Sequence, residues 1–514
     1  MSYIGIFTVF FSLFLFWHLT TPNLTGRDDP YYHAKHTLLV AESNTWSVPQ
    51  QSVVYQYPVD AYVLAHLVAS TFVKLFGAIT GTKIFAALQA ALVFVIFFFV
   101  AKRNHIRKPF LWTLLFALAS TTFITRLLFE RPFVLSIAFL MLGFEFIRTK
   151  KYLWLGILSF IYILYYNLAP LIIGLALVSI LVDLIQKKAI NIRPLISTLG
   201  GITAGILIHP IHENYIWHMS VHFFWVFGLK ISKIRLDSGA EIEPQTFQNF
   251  FIHNILLITV MIIAMSLFLF LQKQRQTNRD ILMLMILSLP WFVIAALIPR
   301  GLEYAAPFGC LLAAVLFNRF ADLGYWEKIT NRLKQTYFYW PLYFLAPIVL
   351  VLICGITLVS DTISMHGRIK TKTIDDFRLA NEYLINNTKK DAIIFNTKWD
   401  FFPLMFYFNT HNRYVMGFDP AFLYVYNPNM YWIHWYASYF GKYCPTKTCT
   451  TDLPDDKNAH ALALSIRNVF QSDDIITGKR PNAFLKLLES NPKYFTLTYS
   501  NNSVVIYHIN NAAQ

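Results

Sequence analysis

The stretch VDAYVLAHLVASTFVKLF, residues 59–76, decides how the rest of the chain is arranged around a membrane. It is apolar enough to be considered as a membrane span, but its pattern is that of an amphipathic helix. Amphipathic helices of this kind lie in the membrane interface and do not cross the bilayer. Whether 59–76 crosses determines the side on which every later loop lies.

The composition is that of a polytopic membrane protein. Of the 514 residues, 56% are hydrophobic and 17% aromatic, and the mean hydropathy is +0.46. A soluble globular domain does not need so much apolar surface. The net charge of +15 comes from short Lys and Arg clusters between apolar runs, which is how membrane topology is encoded. We therefore expect no nucleic-acid partner.

Eleven apolar runs predict eleven transmembrane helices. They lie near 3–20, 82–101, 110–125, 133–147, 152–166, 168–186, 195–211, 252–271, 281–298, 303–318 and 340–360. The first run has no preceding basic residues and no small-residue cleavage site, so we expect a retained span and not a cleaved signal peptide.

An interfacial helix at 59–76 puts 17 Lys and Arg residues on one side of the membrane. These residues occupy the loops 102–108, 148–151, 187–193, 273–279 and 319–334. If 59–76 crossed, all five loops would face outward, against the positive-inside rule. We therefore predict a multi-pass plasma-membrane protein with a cytoplasmic N-terminus and an outward-facing C-terminal region.

This topology predicts two domains. Residues 1–360 would form the transmembrane domain, with a long first outer loop at 21–81 containing the interfacial helix. Residues 361–514 have ordinary polarity and would form an extracytoplasmic α/β domain. Its predicted elements are helices at 373–386, 458–471 and 481–489, a buried strand at 392–397, and a hairpin of Tyr494–Tyr499 with Val504–Ile509.

The four cysteines divide into two kinds. Cys310 and Cys354 lie in apolar runs and are interpreted as packing residues. Cys444 and Cys449 lie in a polar region outside the membrane, where a disulfide is favoured over a zinc site because no second ligand pair follows.

The first outer loop begins Gly26-Arg27-Asp28-Asp29-Pro30-Tyr31-Tyr32-His33. Charged groups at a bilayer face are costly unless they bind something, so Asp28 and Asp29 are the first candidate catalytic residues, with His33 beside them. An Asp before Pro is also an ordinary helix N-cap, which would explain one carboxylate but not two.

The second outer loop contains Arg126, Glu130 and Arg131 before Pro132. One interpretation is an interfacial Arg–Glu pair at the end of a span. The other is that Glu130 faces the same site as Asp29, with an arginine available for a phosphate.

The third outer loop offers candidate metal ligands at both ends. It begins with His209 and His212, which could ligate a metal or be ordinary interfacial histidines. It ends with Glu241 and Glu243, whose alternation would point them to one side of an extended segment unless they are simply solvated.

Two further segments carry candidate substrate-binding residues. Arg300, with Glu303 and Tyr304 at helical spacing, is placed to bind a phosphate at the mouth of the bundle, or is a snorkelling interfacial arginine. Trp399 and Asp400 directly follow the predicted strand 392–397, where side chains often face a binding cleft. A purely structural Trp399 is the alternative.

Taken together, these motifs resemble the GT-C class of membrane glycosyltransferases, and most of all the catalytic subunits of oligosaccharyltransferases. The Asp29-Pro30-Tyr31 segment is similar to an Asp-Pro-aromatic motif of that family, and the resemblance implies a catalytic, metal-associated Asp29. Glu130 falls where the family has a paired acidic motif, although only one acidic residue is present here.

The resemblance extends to the later segments. Glu241 or Glu243 corresponds to a glutamate before a span, and Arg300 with Tyr304 to an Arg-x-x-x-Tyr-x-x-Pro segment that meets the lipid phosphate. Trp399-Asp400 corresponds to the start of a Trp-Trp-Asp-Tyr-Gly motif, of which Lys398-Trp399-Asp400-Phe401 keeps only part.

The expected function is transfer of a sugar or oligosaccharide from a polyprenyl-(pyro)phosphate donor to an extracytoplasmic protein, lipid or glycan acceptor, with inversion. A divalent cation, Mg²⁺ or Mn²⁺, would be held by Asp29, Glu130 and Glu241 or Glu243. A lipid-linked-sugar flippase or transporter without transferase chemistry is the alternative. A scaffold that binds a partner would leave Arg300 and the paired aspartates unexplained.

Overall fold

The structure is a computed structural model. It describes residues 2–25, 29–43, 52–54, 60–225, 228, 234, 239, 241, 243–334, 340–370, 374–417, 419–449 and 453–511. Asp28, one of the predicted catalytic residues, lies outside these ranges.

Helices form most of the N-terminal part. They are α1 (Tyr3–Leu19), α2 (Asp29–Ser43), α3 (Val63–Phe76), α4 (Ala78–Arg103), α5 (Pro109–Leu118), α6 (Thr121–Leu127), α7 (Phe133–Arg148), α8 (Tyr152–Tyr165), α9 (Leu171–Ile185), α10 (Arg193–Ile208), α11 (His212–Ser220), α12 (Phe247–Lys273), α13 (Arg279–Leu297), α14 (Leu302–Asp322), α15 (Tyr325–Lys334) and α16 (Trp340–Lys370). A π-helical turn spans Val221–Trp225, and a 3₁₀ turn, Pro299–Gly301, precedes α14.

Each predicted apolar run corresponds to helical structure, but not every helix is long enough to span a bilayer by itself. Five segments in the described part of the chain meet that test: Ala78–Arg103, Phe247–Lys273, Arg279–Leu297, Pro299–Asp322 and Ile348–Ile369. Several others, such as α1 and α10, are apolar but only 10–17 residues long. The count of eleven spans therefore stays a prediction.

The predicted straight span at 110–125 is instead broken. Helices α5 and α6 meet at an angle of 90°. Ser120 lies at the break in an extended conformation, and its hydroxyl accepts a hydrogen bond of 2.9 Å from the Phe123 amide, so it caps α6. The bend carries Arg126, near the end of α6, toward the second outer loop.

Within the decisive stretch 59–76, Val63–Phe76 form helix α3, which folds back against α4. Gly77, at φ +80°, makes the turn between them, a conformation that favours glycine. Four residues later the two helices are in such close contact that a Cβ on Gly81 would lie 2.5 Å from the carbonyl oxygen of Phe72. Helix α3 also packs on α2, so both ends of the first outer loop lie side by side.

The basic loops meet at one end of the bundle. Arg148 donates a 3.1 Å hydrogen bond to the Arg103 carbonyl, and the Arg107 amide donates one of 2.9 Å to Asn318. Arg319 donates to Gln276 at 2.9 Å. These contacts link four of the five basic loops at one end, with Asn318 directly before the loop 319–334, and the side of the membrane on which the loops lie stays a prediction.

The C-terminal region is α/β, as predicted. Its helices are α17 (Asp375–Asn387), α18 (Phe402–Phe408), α19 (Pro420–Tyr426), α20 (Pro428–Phe440), α21 (Asp455–Asn468) and α22 (Ala483–Ser490), and a 3₁₀ turn spans Trp399–Phe401. Its strands are β1 (Ile393–Asn396), β2 (Arg413–Tyr414), β3 (Asp474–Gly478), β4 (Phe495–Ser500) and β5 (Val504–Ile509). The predicted hairpin is β4 with β5, paired antiparallel, and the predicted domain boundary at 360 falls inside α16.

The five strands form one sheet in the order β2-β1-β3-β5-β4. Strands β1, β2 and β3 run parallel, whereas β5 is antiparallel to β3. The first outer loop extends this sheet, since Ser52 forms a parallel bridge with Tyr414 and the Val53 amide donates a 3.0 Å bond to the Tyr414 carbonyl. Tyr32 of α2 packs near Phe402 and Phe406, with ring centroids 6.3 and 5.8 Å away.

The predicted disulfide is absent. No disulfide joins Cys444 to Cys449 in the structure. The reason lies in their local contacts: Cys444 Sγ lies 3.4 Å from the Thr446 carbonyl oxygen, and Cys449 Sγ lies 3.8 Å from that of Tyr443. Cys310 and Cys354 are buried among apolar side chains, as predicted.

Candidate active site

The catalytic candidate Asp29 begins helix α2 and forms an ion pair across to the second outer loop. Its Oδ2 atom contacts Nη2 of Arg131, which precedes α7. The Asp29 side chain is 37% exposed, so it remains open to a substrate. A carboxylate in the first turn also interacts favourably with the helix dipole. Asp29 is therefore both oriented and accessible.

Glu241, from the third outer loop, lies at the centre of the arginines. Its Oε2 atom accepts from Arg131 Nη1 at 2.9 Å and from Arg126 Nη2 at 3.1 Å. Its Oε1 atom accepts from Arg300 Nη1 at 3.2 Å. Burial alone would raise the pKa of Glu241, but Arg131, Arg126 and Arg300 together hold it well below its ordinary value. Glu241 is thus a carboxylate surrounded by three guanidinium groups.

The segment that starts α14 completes this cluster. Arg300 Nη2 donates a 2.7 Å bond to the hydroxyl of Tyr166, and the Arg300 amide donates to the Glu241 carbonyl at 3.1 Å. Glu303 is fully buried and accepts from Arg126 Nε at 2.7 Å. Tyr304 is buried against Trp291, with ring centroids 4.5 Å apart. Arg300 and Glu303 therefore belong to the network, while Tyr304 packs behind it.

We define the outer arginine cluster as Arg126, Arg131 and Arg300 with Asp29, Glu241 and Glu303. It joins four stretches of chain that are distant in sequence, and its formal charges balance. The structure thus links Asp29 to Arg300 through Arg131 and Glu241, so the two predicted residues belong to one network. Tyr166 was not predicted, because a tyrosine between two spans has no distinguishing sequence signal.

Glu130 has a different environment from the one predicted. It is buried, and its carboxylate accepts from the Thr25 hydroxyl at 2.9 Å and from the Thr25 amide at 3.0 Å. His18 Nδ1 lies 3.1 Å from its Oε1 atom. These contacts bind the start of the first outer loop to the second. Because its acceptor positions are used in this way, Glu130 fits a positioning role better than catalysis.

The predicted metal ligands do not form a cation site. Asp29 and Glu241 are bound to guanidinium groups, which compete with a cation, and Glu130 is used by Thr25 and His18. Glu243 and His212 are exposed. His209 is buried against Tyr215, with ring centroids 4.4 Å apart, and burial lowers its pKa to about 4 although Asp60 opposes the shift. The residues described here do not fit the expected Mg²⁺ or Mn²⁺ ion.

A group of side chains that sequence reasoning missed lies one turn along α2. His33, a predicted substrate-binding residue, has its Nδ1 atom 2.9 Å from Nε2 of His66, and His66 Nδ1 lies 2.8 Å from Asp60 Oδ2. Burial lowers the pKa of His33 well below its ordinary value, and His66 and Arg131 lower it further. Burial lowers the pKa of His36 to about 3 although Asp60 opposes the shift. The available signal was the spacing of His33 and His36 on one helix.

The C-terminal domain reaches the outer arginine cluster through Trp399. A Cβ placed on Gly239 would lie 3.6 Å from Cγ of Glu241 and 3.8 Å from Cη2 of Trp399, so these two side chains flank the same short segment. Trp399 and Asp400 lie in the 3₁₀ turn that follows β1. Trp399 and Asp400 therefore follow the strand end, as predicted, and Trp399 is near the outer arginine cluster.

Comparison by sequence identifies no relatives, since neither a protein-family model nor a curated protein matches. Solved structures do match. The archaeal oligosaccharyltransferase AglB from Archaeoglobus fulgidus, in complex with an inhibitory peptide and a dolichol-phosphate, is 11% identical with a TM-score of 0.59; the match covers 99% of this chain and 74% of AglB. ArnT from Cupriavidus metallidurans, bound to undecaprenyl phosphate, is 12% identical with a TM-score of 0.56, over 99% of both chains.

This chain has the GT-C fold. Both neighbours are GT-C glycosyltransferases, so the expected helical fold with a small C-terminal sheet is confirmed, while the number of spans and the side on which the C-terminal region lies stay predictions. A further structure of the Archaeoglobus enzyme, in complex with Zn and sulfate, matches at 10% identity and a TM-score of 0.51 over 97% of this chain and 73% of that one. At these identities the comparison shows the fold alone. The chemistry of the site rests on the geometry of the outer arginine cluster.

Proposed function

We propose that this protein is a membrane glycosyltransferase that moves a sugar from a polyprenyl-(pyro)phosphate donor to an acceptor at the outer face of the plasma membrane. The general reaction agrees with the fold and with the lipid phosphates bound by the two structural neighbours. The single observation that carries the proposal is the outer arginine cluster, in which an accessible carboxylate, Asp29, adjoins guanidinium groups suited to a phosphate.

The arginines supply the anion-binding half of the site. Arg126, Arg131 and Arg300 are 6%, 18% and 24% exposed, so they are shielded from water and their interactions with an anion are strengthened. Guanidinium groups bind phosphate oxygens bidentately. The (pyro)phosphate leaving group gains charge as its bond to the sugar breaks. Fixed cations at that position stabilise the transition state more than the ground state.

Glu241 occupies the position that a phosphate would take. Its carboxylate oxygens stand in for phosphate oxygens, because one group accepts hydrogen bonds from all three arginines. The donor phosphate would compete with Glu241 for Arg131 and Arg300, and Glu241 would withdraw when the donor binds. The free protein would in this way avoid a buried, uncompensated positive charge.

Asp29 would act as the base. The acceptor heteroatom attacks the anomeric carbon of the donor sugar from the face opposite the phosphate. As the new glycosidic bond forms, the bond from carbon to phosphate oxygen breaks and its electron pair leaves with the polyprenyl (pyro)phosphate. Asp29 takes the acceptor proton, and the anomeric configuration inverts. Arg131 fixes the orientation of Asp29 through their ion pair.

The C-terminal domain would select the acceptor. Trp399 lies beside the segment that carries Glu241, so an acceptor on the C-terminal domain would be close to the cluster.

Since the described carboxylates do not form a cation site, every step above uses only the protein's own side chains. A flippase would need the arginines but would not need Asp29 as a base, and this difference separates the two functions.

The test compares Asp29→Asn with Asp322→Asn in cells that lack the native gene. Asp322 is a matched control, because it is 44% exposed and paired with Arg107 at the other end of the bundle. Asp29→Asn should lower transfer by about 10²–10⁴-fold, the usual contribution of a general base. Lipid-linked sugar should accumulate, as measured by extraction and mass spectrometry. The Asp322→Asn protein should restore the wild-type level.

The readouts distinguish failure of folding from failure of function. Both variants are quantified in the membrane fraction, and transfer is expressed per molecule of protein. Unchanged transfer by Asp29→Asn at normal protein levels would eliminate the proposed base. The flippase would be favoured by a different result. In that case the lipid-linked sugar would cross the bilayer only when this protein is present, and the crossing would persist in the Asp29→Asn variant.

A further inference from the structure

A second polar cluster lies beside the candidate active site. His36 on α2, Asp60 just before α3 and His66 on α3 each offer one ligand atom, and these atoms lie within 4.8 Å of one another. The three side chains are only 2–3% exposed. No other group of three such ligands occurs in the described part of the chain. We call this group the His–Asp cluster.

The His–Asp cluster contains a buried polar atom with no partner. His36 Nδ1 accepts and donates no hydrogen bond within the described residues. A buried nitrogen left in this state costs about 1–3 kcal/mol. The ring of His36 is stacked on that of His66, with centroids 5.1 Å apart, so it is fixed in the cluster although it gains no hydrogen bond there through Nδ1. A ligand at this point would explain its burial.

The groups around the cluster hold its ligands in the orientation that a metal needs. The Tyr62 amide donates a 2.8 Å bond to Asp60 Oδ1, which leaves Oδ2 facing His66 Nδ1 at 2.8 Å. The other nitrogen of His66, Nε2, lies 2.9 Å from His33 Nδ1. Metal-binding imidazoles usually have their second nitrogen held by such a partner, which fixes the tautomer and the ring.

We propose that His36, Asp60 and His66 bind one divalent transition-metal ion, with zinc as the best fit. Two imidazoles and one carboxylate are typical zinc ligands, whereas Mg²⁺ and Ca²⁺ prefer oxygen ligands throughout. Three protein ligands leave a fourth tetrahedral position for water. This site is separate from Asp29, Glu130 and Glu241, and it does not depend on the proposed transfer reaction.

The bound ion would hold the first outer loop in shape. His36 lies on α2 and Asp60 lies just before α3, so one ion would tie α2 to the start of α3. His36 is seven residues after Asp29 on α2, and residues at that spacing lie on one face of a helix. Fixing His36 therefore fixes the face of α2 that carries Asp29. His36, Asp60 and His66 are positioning residues in this proposal.

The experiment measures metal content and not activity. The full-length protein, without a polyhistidine tag, is stripped with a chelator in lipid nanodiscs and titrated with Zn²⁺ and with Co²⁺. Wild type should bind about one equivalent of zinc tightly and show the visible bands of tetrahedral Co²⁺. Asp60→Asn and His36→Gln should lose this tight binding. His33→Gln should weaken it roughly 10–100-fold, because His33 supports His66.

Two controls make every outcome informative. His253→Gln changes a partly exposed histidine paired with Asp361 and should bind zinc like wild type. Asp29→Asn should also keep its zinc; loss of zinc in Asp29→Asn with retention in His36→Gln would assign the metal to the catalytic carboxylate and overturn the proposal. If the cluster variants do not fold, the wild-type protein alone tests the proposal. A wild-type protein that shows no Co²⁺ bands and no thermal stabilisation by Zn²⁺ would also overturn the proposal.

Discussion

Both ends of the helical bundle hold arginines against carboxylates, but the two ends are built differently. At the basic end, buried Glu145 accepts from Arg103 and Arg148, and Asp183 accepts from Arg279. Each of these carboxylates has its own arginines, and none of those arginines is shared. Such pairs fasten neighbouring helices together.

At the outer end the arginines are shared. Arg131 contacts both Asp29 and Glu241, and Arg126 contacts both Glu241 and Glu303. One loop carboxylate, Glu241, therefore contacts three arginines that come from other segments. A carboxylate on a loop can be replaced by another anion more readily than one inside a packed helix. The comparison suggests that the basic end provides stability and the outer end provides binding.

The largest expected effect separates Arg300 from Arg279. Arg300→Ala should reduce transfer about 10²–10³-fold, the usual cost of removing one preorganised donor to a developing anion. Arg279→Ala should leave transfer per folded molecule unchanged and lower the free energy of unfolding by about 3 kcal/mol, because it leaves Asp183 buried and unpaired. Product formation per folded molecule and thermal unfolding measure the two effects. An equal loss of transfer in both variants would remove the distinction between the ends.

A smaller effect is expected at Glu241. Glu241→Gln removes the charge that competes with the donor phosphate, so affinity for a short-chain polyprenyl phosphate should rise by roughly 10-fold, or about 1.4 kcal/mol. Calorimetric titration measures the dissociation constant. Glu145→Gln is the matched control, since Glu145 also accepts from arginines but at the basic end, and its affinity should equal that of wild type. Weaker binding by Glu241→Gln would mean that Glu241 assists the donor.

The smallest effect concerns pH. The pKa of Glu241 is held well below its ordinary value of 4.5, so Glu241 binds a proton less readily in the folded state than in the unfolded state. Its contribution to stability is then fully present above about pH 4.5 and is lost as the pH falls through the lower folded-state pKa. The difference in melting temperature between wild type and Glu241→Gln should stay constant from about pH 7 to pH 5. A difference that already shrinks in that interval would show that the arginines do not hold Glu241 ionised.

The sequence was most informative about helices. Long apolar runs such as 82–101 predicted helical segments correctly, because burial in a membrane requires continuous hydrophobicity. The 90° break at Ser120 was not predicted, since the residues on both sides are apolar and a cap depends on one hydroxyl and one amide. The predicted disulfide at Cys444 failed for a similar reason: spacing along the chain does not fix how two thiols are directed.

The candidate site was predictable in its charged residues and not in its partnerships. Asp29, Arg131, Glu241 and Arg300 were recognisable because each is a charged residue in a predicted outer loop. The sequence did not show that Glu130 faces Thr25 or that arginines surround Glu241, because both contacts depend on how the helices pack. The same limit applies to His66, whose partner His33 lies thirty-three residues away in the sequence.

The parallel bridge between Ser52 and Tyr414 has a consequence for dissecting the protein. Strand β2 is an edge strand, and the backbone of the first outer loop covers part of that edge. If the C-terminal region were expressed alone, this edge would lose its cover, and uncovered edge strands pair with other molecules. The isolated fragment should therefore tend to self-associate, and a soluble version would need a proline on β2, which already carries the charge of Arg413.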